Sequence, residues 1–378
     1  SATHISAGDV SYEYLGPNQY LIRVTLLRDC NGIAAPATVQ VNYRSASAGV
    51  NANMIVTRVS TQQLSELFCP TAPTACGSGP GSFGFEEVIY EATLTLPAGG
   101  NDYRLSARVC CMANAITNLN APGGEAFYVE TTLDNTLPQP NSSPVYSGGL
   151  VATVANGQPA SYNLGAYDTD GDSLSYQWVD AFEGPANSVE YAGPYSGTTP
   201  MDITPAGPMP INAASGQVDF TPNGTQVAVM CALVTEWRNG VAITTQRRQF
   251  LVYVINSPSV PPTTTGAATN VSGATQLEPD SLRVCAGSAA AFEVNFSDPD
   301  AAEALSLTSN VNDLFPGATV TQTGTNPATI RVELTPSLSQ VGLYSLVFKA
   351  SDDNCPFQNT TRRSLYLRVT RAPVRTWT

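Results

Sequence analysis

The chain has 378 residues, of which 12% are charged, and its formal net charge is −13. This length suggests roughly two to four domains, each large enough for its own core. Only 17 residues are Lys or Arg, which argues against nucleic-acid binding, because contacts with phosphates need clustered cations.

No apolar run approaches the about 20 residues that span a bilayer, so we expect no transmembrane segment. The first four residues lack the basic and apolar regions of a signal peptide, and we expect that a leader, if the protein is exported, has been removed. Eight cysteines, several beside turns or in close pairs, indicate disulfides of an oxidising compartment. The predicted location is extracellular, at a cell surface.

Alternating apolar and polar residues predict half-buried strands along the whole chain. The pattern is clear at Val10, Tyr12 and Tyr14, at positions 20–26, and at positions 88–96. The 30 glycines and 28 prolines supply the turns between such strands. The predicted fold class is all-β, with immunoglobulin-like sandwiches as the domain type.

Two Pro/Ser/Thr-rich stretches interrupt the strand pattern, LPQPNSSP at 137–144 and SPSVPPTTT at 257–265. Both are typical of interdomain linkers. They predict three tandem domains: a cysteine-rich domain over 1–137, a second over 145–256 with an insertion at 182–214, and a third over 266–372.

The second and third domains are predicted to be copies of one unit, since their landmarks recur in the same order. An acidic turn at 167–172 corresponds to one at 297–300. Thr-Pro pairs follow at 221–222 and 335–336, and Arg-Arg pairs open the last strands at 247–248 and 362–363. The first domain differs, which suggests a distinct head mounted on a stalk of two repeats.

Several segments resemble the N-terminal regions of large Bacteroidetes surface proteins of the gliding-motility-associated, type IX-secreted class. They are GDVSYEYLG at 8–16, RDCNG at 28–32, the Cys110-Cys111 pair with AITNL at 115–119, and EWRNG at 236–240. The resemblance implies export across the outer membrane, tandem immunoglobulin-like or cadherin-like domains, and a separate C-terminal sorting domain, which is not visible in this chain.

The acidic turn of the second domain places three carboxylates within five residues, which offers oxygen ligands to calcium if Glu236 approaches them. In the alternative interpretation, these carboxylates only cap backbone amides of a turn. A matching set in the third domain includes Glu303. The candidate calcium ligands are Asp168, Asp170, Asp172 and Glu236, and Asp298, Asp300 and Asp352.

For the cysteines, we expect Cys285 to pair with Cys355, since they are the only two of the third domain. Cys69 and Cys76 would close a short loop, and Cys30 would bridge to Cys110 or Cys111, although spacing alone does not settle connectivity. Cys231, alone in its domain, is predicted to be a buried thiol.

No catalytic site is predicted. The only histidine is His4, in the first few residues, where a nucleophile's partner is least expected. Two aromatic groups, Trp178 with Trp237 and Tyr191 with Tyr195, offer an alternative function as a carbohydrate-binding module. Core packing is the competing explanation for such residues.

The predicted function is therefore a secreted structural or adhesive protein, with calcium as the one candidate cofactor. Its expected partners are copies of itself, neighbouring surface proteins or extracellular glycans. Self-assembly into a filament is a further hypothesis, in which the strand after Ser1 is donated to a neighbouring copy. Pairing of that strand within its own domain is the other expectation.

Overall fold

The computed structural model describes residues 4–64, 67–69, 72–77 and 83–371. Within these ranges nearly all regular structure is strand. The helical elements that lie wholly within these ranges are one four-residue helix, α1 (Val311–Leu314), and two short 3-10 helices, Pro122–Gly124 and Leu338–Gln340. No helix in the described part of the chain has the length and apolarity needed to cross a membrane. The all-β prediction is confirmed.

The first unit, residues 4–137, forms a sheet of seven strands in which all neighbours are antiparallel. Its order is β1-β2-β5-β4-β3-β6-β7. This is the immunoglobulin order A-B-E-D followed by C-F-G. The long β4 joins the two halves, because its first part pairs with β3 and its second with β5. The strands are β1 (Ile5–Gly16), β2 (Gln19–Asp29), β3 (Thr38–Ser45), β4 (Val50–Gln63), β5 (Phe85–Thr95), β6 (Tyr103–Cys110) and β7 (Ala126–Leu133).

The second unit, residues 145–256, has the same kind of order. β10 pairs with β15, and β12, β16 and β17 form the opposite sheet, with β9 parallel to β17. The strands are β8 (Val145–Tyr146), β9 (Val151–Ala155), β10 (Ala160–Asn163), β11 (Ala166–Tyr167), β12 (Ser173–Trp178), β13 (Phe182–Gly184), β14 (Asn187–Ser188), β15 (Gln217–Phe220), β16 (Gln226–Arg238) and β17 (Val241–Ile255).

The third unit, residues 266–371, repeats this topology. One sheet is β18-β21-β24-β23, and the other is β22-β25-β26 with β20 parallel to β26. In each of these two units an early strand, β9 or β20, runs parallel to the last strand, which supports the prediction that the units are copies. The strands are β18 (Thr269–Ser272), β19 (Thr275–Glu278), β20 (Ser281–Cys285), β21 (Ala290–Phe296), β22 (Ser306–Ser309), β23 (Thr319–Thr323), β24 (Ala328–Leu334), β25 (Gly342–Ser351) and β26 (Thr360–Thr370).

Strand β16 is apolar from Val227 to Val234 and β17 from Phe250 to Val254, and most of these side chains are buried. Such runs are typical of strands that are covered on both faces. In β17, Phe250 and Val252 pack in the core of the second unit, whereas Leu251 and Tyr253 pack in the core of the first. Since successive side chains of a strand point to opposite faces, one sheet serves two cores. The first core therefore includes residues of the second unit, and the division into three domains stays a prediction.

The units do not form a head on a stalk, and that expectation is wrong. β17 bridges both β1 and β7 of the first unit, and β10 pairs with β26 of the third. The first and third units also touch, through a bridge between Phe68 and Phe357. Each unit therefore contacts both of the others, because backbone pairing continues across the junctions.

The disulfides differ from the expected pairings. Cys355 bonds to Cys69 and not to Cys285, because the β25–β26 loop that carries it reaches the first unit. Cys285 ends β20 opposite Thr370, and it makes no disulfide. Cys30 bonds to Cys76, and the adjacent Cys110 and Cys111 bond to each other. The expected bonds from Cys69 to Cys76 and from Cys30 to Cys110 or Cys111 were therefore wrong. Cys231 is a buried thiol, as predicted.

The N-terminal strand pairs within its own chain. Residues 5–16 form β1, which lies antiparallel to β2 over almost its whole length and touches β17 at Gly8. Residues 1–3 lie outside the described residues. Strand β1 therefore gives no support to the hypothesis that it is donated to a neighbouring copy.

Candidate metal centres at the unit junctions

The acidic turn between β11 and β12 is organised by Asp168. Its Oδ1 accepts hydrogen bonds from the backbone N–H of Asp170 and of Asp172, both at 2.9 Å. Gly171 closes the turn with a φ of 86°, a left-handed conformation that favours glycine. Asp168 is only 6% exposed, and its other oxygen, Oδ2, is buried without a hydrogen-bond partner.

Glu236 brings a second buried carboxylate to this turn from β16. Its side chain is 0% exposed, and its Oε1 has no hydrogen-bond partner. One oxygen each of Asp168, Asp172 and Glu236 lie within 4.8 Å of one another. The predicted approach of Glu236 to the aspartate turn is therefore seen in the structure.

The linker between the first and second units is bound to this cluster by Asn141. Its Nδ2 donates to Glu236 Oε2 at 3.0 Å, and its Oδ1 accepts from Arg238 Nη2 at 2.6 Å. Arg238 also donates to both oxygens of Asp172, and its Nη1 donates to the Gln139 carbonyl at 2.8 Å. Asp172 thus has a compensating cation, whereas the described contacts give Asp168 and Glu236 none.

Asp170, the fourth predicted ligand of the second unit, lies outside the cluster of three. Its Oδ2 accepts a hydrogen bond from the backbone N–H of Ser142 at 2.7 Å. The residue therefore anchors the linker.

The junction before the third unit repeats this arrangement. Oxygens of Asp298, Glu303 and Asp352 lie within 4.8 Å of one another. Asp298 is 7% exposed, and its Oδ2 is buried and unpartnered. The fourth candidate, Asp300, again lies outside the cluster and accepts from the linker N–H of Val260 at 2.7 Å.

Ser259 takes the place of Asn141 at this second junction. Its hydroxyl lies 2.9 Å from Glu303 Oε2 and 3.3 Å from Asp352 Oδ2. Asn359 supports it by donating to Asp352 Oδ2 at 2.8 Å. The linker residues were missed from the sequence, because a Pro/Ser-rich stretch indicates a spacer and carries no signal for a buried contact.

Burial and mutual repulsion shape the protonation of both clusters. Burial raises the pKa of Asp168 and of Glu236. The negative charges of Asp170 and Asp172 raise the pKa of Asp168 further, and the charge of Asp168 raises that of Glu236. In the second cluster burial raises the pKa of Glu303 to about 7 and also raises those of Asp298 and Asp352. Each cluster is thus short of positive charge, and either protons or a cation relieve the repulsion.

A group of three carboxylates, at least one of which has a buried oxygen without a partner, suits a hard divalent cation, because calcium prefers oxygen ligands and neutralises their charge. In the first cluster Asp168, Asp172 and Glu236 would hold it, and in the second Asp298, Glu303 and Asp352. The sequence pattern thus located both clusters, with Asp170 and Asp300 in a supporting position.

Two of the four aromatic residues considered for sugar binding pack in a core, whereas Trp237 is 36% exposed. Trp178 is buried in the second core beside Phe250, and Tyr191 packs against the first core, its hydroxyl accepting from the Ala181 N–H at 2.9 Å. The insertion that carries Tyr191 adds β13 to the edge of β7. Its observed role is therefore to cover a sheet edge.

No model of a known protein family and no characterised relative matches the sequence. Among solved structures, titin domains I67–I69 are 9% identical, with 98% of this chain and 100% of that chain covered and a TM-score of 0.19. PcdhgB3 EC1-4 is 13% identical, with 89% and 67% covered and a TM-score of 0.22. The endo-fucoidan hydrolase MfFcnA4 is 12% identical, with 90% and 43% covered and a TM-score of 0.20.

Proposed function

We propose that the protein is a secreted cell-surface protein with a structural or adhesive role, and that bound divalent cations hold its unit junctions together. Calcium is the leading candidate. We call this arrangement the cation lock. The observation that carries the proposal is the recurrence of one arrangement at both junctions. In each, three carboxylates meet beneath a linker, and at least one buried oxygen has no partner.

The location is supported by three disulfides, which form in oxidising compartments. Export by the type IX route and a place among gliding-associated surface proteins rest on the sequence resemblance. A non-enzymatic role is supported by chemistry, since His4 is the chain's one histidine and the clustered carboxylates lie beneath linkers. Filament formation stays a hypothesis, which light scattering over a concentration series would test.

The residues around each cluster position the linker and the adjoining strands. Asn141 holds Glu236 and receives Arg238, so the linker, β16 and the acidic turn are tied at one point. A bound cation would supply the positive charge that the buried carboxylates lack. Removing that charge would leave repulsion at the point where the units meet, so we infer that the cation stiffens the junction.

Calorimetric titration of the full chain with calcium tests this proposal. We expect a stoichiometry of about two ions per chain, one for each cluster. Glu236→Gln should remove one binding event, and the Glu236→Gln/Asp352→Asn double variant should remove both. Glu278→Gln changes an exposed carboxylate on β19 and is the control. Absence of binding to the wild-type chain would overturn the cation lock.

A further inference from the structure

A groove of 460 Å³ lies between the first unit and the linker that leads into the second. Its volume is within the about 300–1,000 Å³ typical of small-molecule sites. The floor comes from alternate residues of two paired strands, which share one face of the sheet. They are Asp9, Ser11 and Glu13 on β1, and Arg23 and Thr25 on β2. We define this feature as the linker groove.

The opposite wall of the linker groove is held firmly in place. The Ser143 N–H donates to the Tyr12 carbonyl and its Oγ accepts from the Tyr12 N–H, both at 2.9 Å. Ser142 Oγ accepts from the Tyr14 N–H at 3.2 Å, and the Ser142 N–H donates to Asp170. A site built on paired strands and a tethered linker is preorganised for a ligand.

The two arginines that line the groove, Arg23 and Arg248, already form ion pairs with carboxylates. Arg23 Nη2 lies 2.6 Å from Glu91 Oε1. Arg248 is 3% exposed and forms a buried ion pair with Asp9. An anionic ligand such as a phosphate would have to compete with these carboxylates, and the chain's net charge of −13 would repel it. The groove therefore does not favour an anion.

The remaining groups of the groove suit a ligand that carries hydroxyls. The exposed Glu13 carboxylate accepts hydrogen bonds, and the hydroxyls of Ser11 and Thr25 both donate and accept. Two partly exposed tyrosines, Tyr14 and Tyr167, add apolar surface with a polar tip. This mixture matches a neutral ring with polar edges and apolar faces.

We propose that the linker groove binds a neutral saccharide. The binding surface lies at the floor of the groove and not on the aromatic residues of the 182–214 insertion. The proposal goes beyond the cation lock, because none of the clustered carboxylates lines the groove. A basic peptide, attracted by Glu13 and by the net charge, is the rival ligand that the test must separate.

Native gel electrophoresis of the full chain through gels that contain a soluble neutral polysaccharide tests the proposal. The probes are a β-glucan, a mannan, a xylan and a galactan. We expect at least one of them to slow the wild-type chain. Thr25→Trp, which fills the groove, should abolish the retardation, and Glu13→Ala should weaken it about tenfold through the lost charged hydrogen bond.

Thr61→Trp places the same side chain at an exposed position of β4 outside the groove and should leave the retardation unchanged. Unchanged melting temperatures of all variants show that they are folded. Retardation that survives in Thr25→Trp, or no retardation by any probe, overturns the proposal. Binding of an oligolysine peptide that Thr25→Trp abolishes, with no effect of the polysaccharides, also overturns it. The calcium stoichiometry is measured separately, so the two proposals fail independently.

Discussion

Asn141 and Glu236 are 95 residues apart in the sequence, yet the Asn141 amide donates to the buried Glu236 carboxylate at 3.0 Å. One side chain belongs to the linker and the other to the central strand of the second unit. This contact turns a stretch with the composition of a flexible spacer into a fixed part of the structure. The predictions below follow from the junctions that such contacts build.

Asn141→Ala should lower the free energy of unfolding by about 1–3 kcal/mol, because it removes the amide that donates to the buried Glu236 carboxylate and one acceptor of Arg238. Urea unfolding in the presence of a chelator measures the loss. Asn101→Ala, an exposed position on the first unit, is the matched control. Equal stability of the two variants would show that the linker contact is unimportant.

The pH dependence of stability should reveal the buried carboxylates. A group whose pKa is raised by folding holds its proton more tightly in the folded chain, so its contribution to stability falls as pH rises toward the raised pKa. In chelator, Glu236→Gln should therefore gain stability relative to the wild type between about pH 5 and about pH 8. Thermal melting over that interval checks this, and a constant difference would contradict it.

The Cys69–Cys355 bond should connect the first and third units covalently. Peptide mapping without reduction should recover that pair. Titration in denaturant should find two free thiols, Cys231 and Cys285. The Cys69→Ser/Cys355→Ser variant should lose about 2–5 kcal/mol of stability, whereas Cys285→Ser should change no disulfide. Recovery of a Cys285–Cys355 peptide would contradict this arrangement.

The buried pair of Asp9 and Arg248 should be a strong contact between the first and second units. Arg248→Met leaves a buried carboxylate without its cation and should cost about 3–5 kcal/mol. Adding Asp9→Asn should recover part of that loss. Arg331→Met breaks an exposed pair in the third unit and should have little effect. Chemical denaturation of the four chains tests the comparison.

Local patterns in the sequence were enough to predict the strands and the acidic clusters. The alternation at Val10 and Tyr12 marks a half-buried strand, and the spacing of Asp168 and Asp172 places two carboxylates in one turn. Both depend on residues close in sequence. The repeated order of landmarks likewise identified the common topology of the second and third units.

The arrangement of the units and the disulfides could not be predicted, because they depend on contacts between distant segments. Cys355 meets Cys69, 286 positions earlier in the sequence, only because the units fold back on each other. One signal was available: Phe250 to Val254 is apolar at every position, which indicates a strand buried on both faces. That pattern indicates that another unit, here the first, packs against β17.

Thermal melting of the wild-type chain at about pH 8, with calcium and with chelator, tests the central claim most directly. The cation lock predicts that calcium at about a hundredfold excess over its Kd raises the melting temperature by about 3 °C for each occupied cluster. The Glu236→Gln/Asp352→Asn variant should show no such increase. The same melting temperature for the wild type in calcium and in chelator would contradict the account.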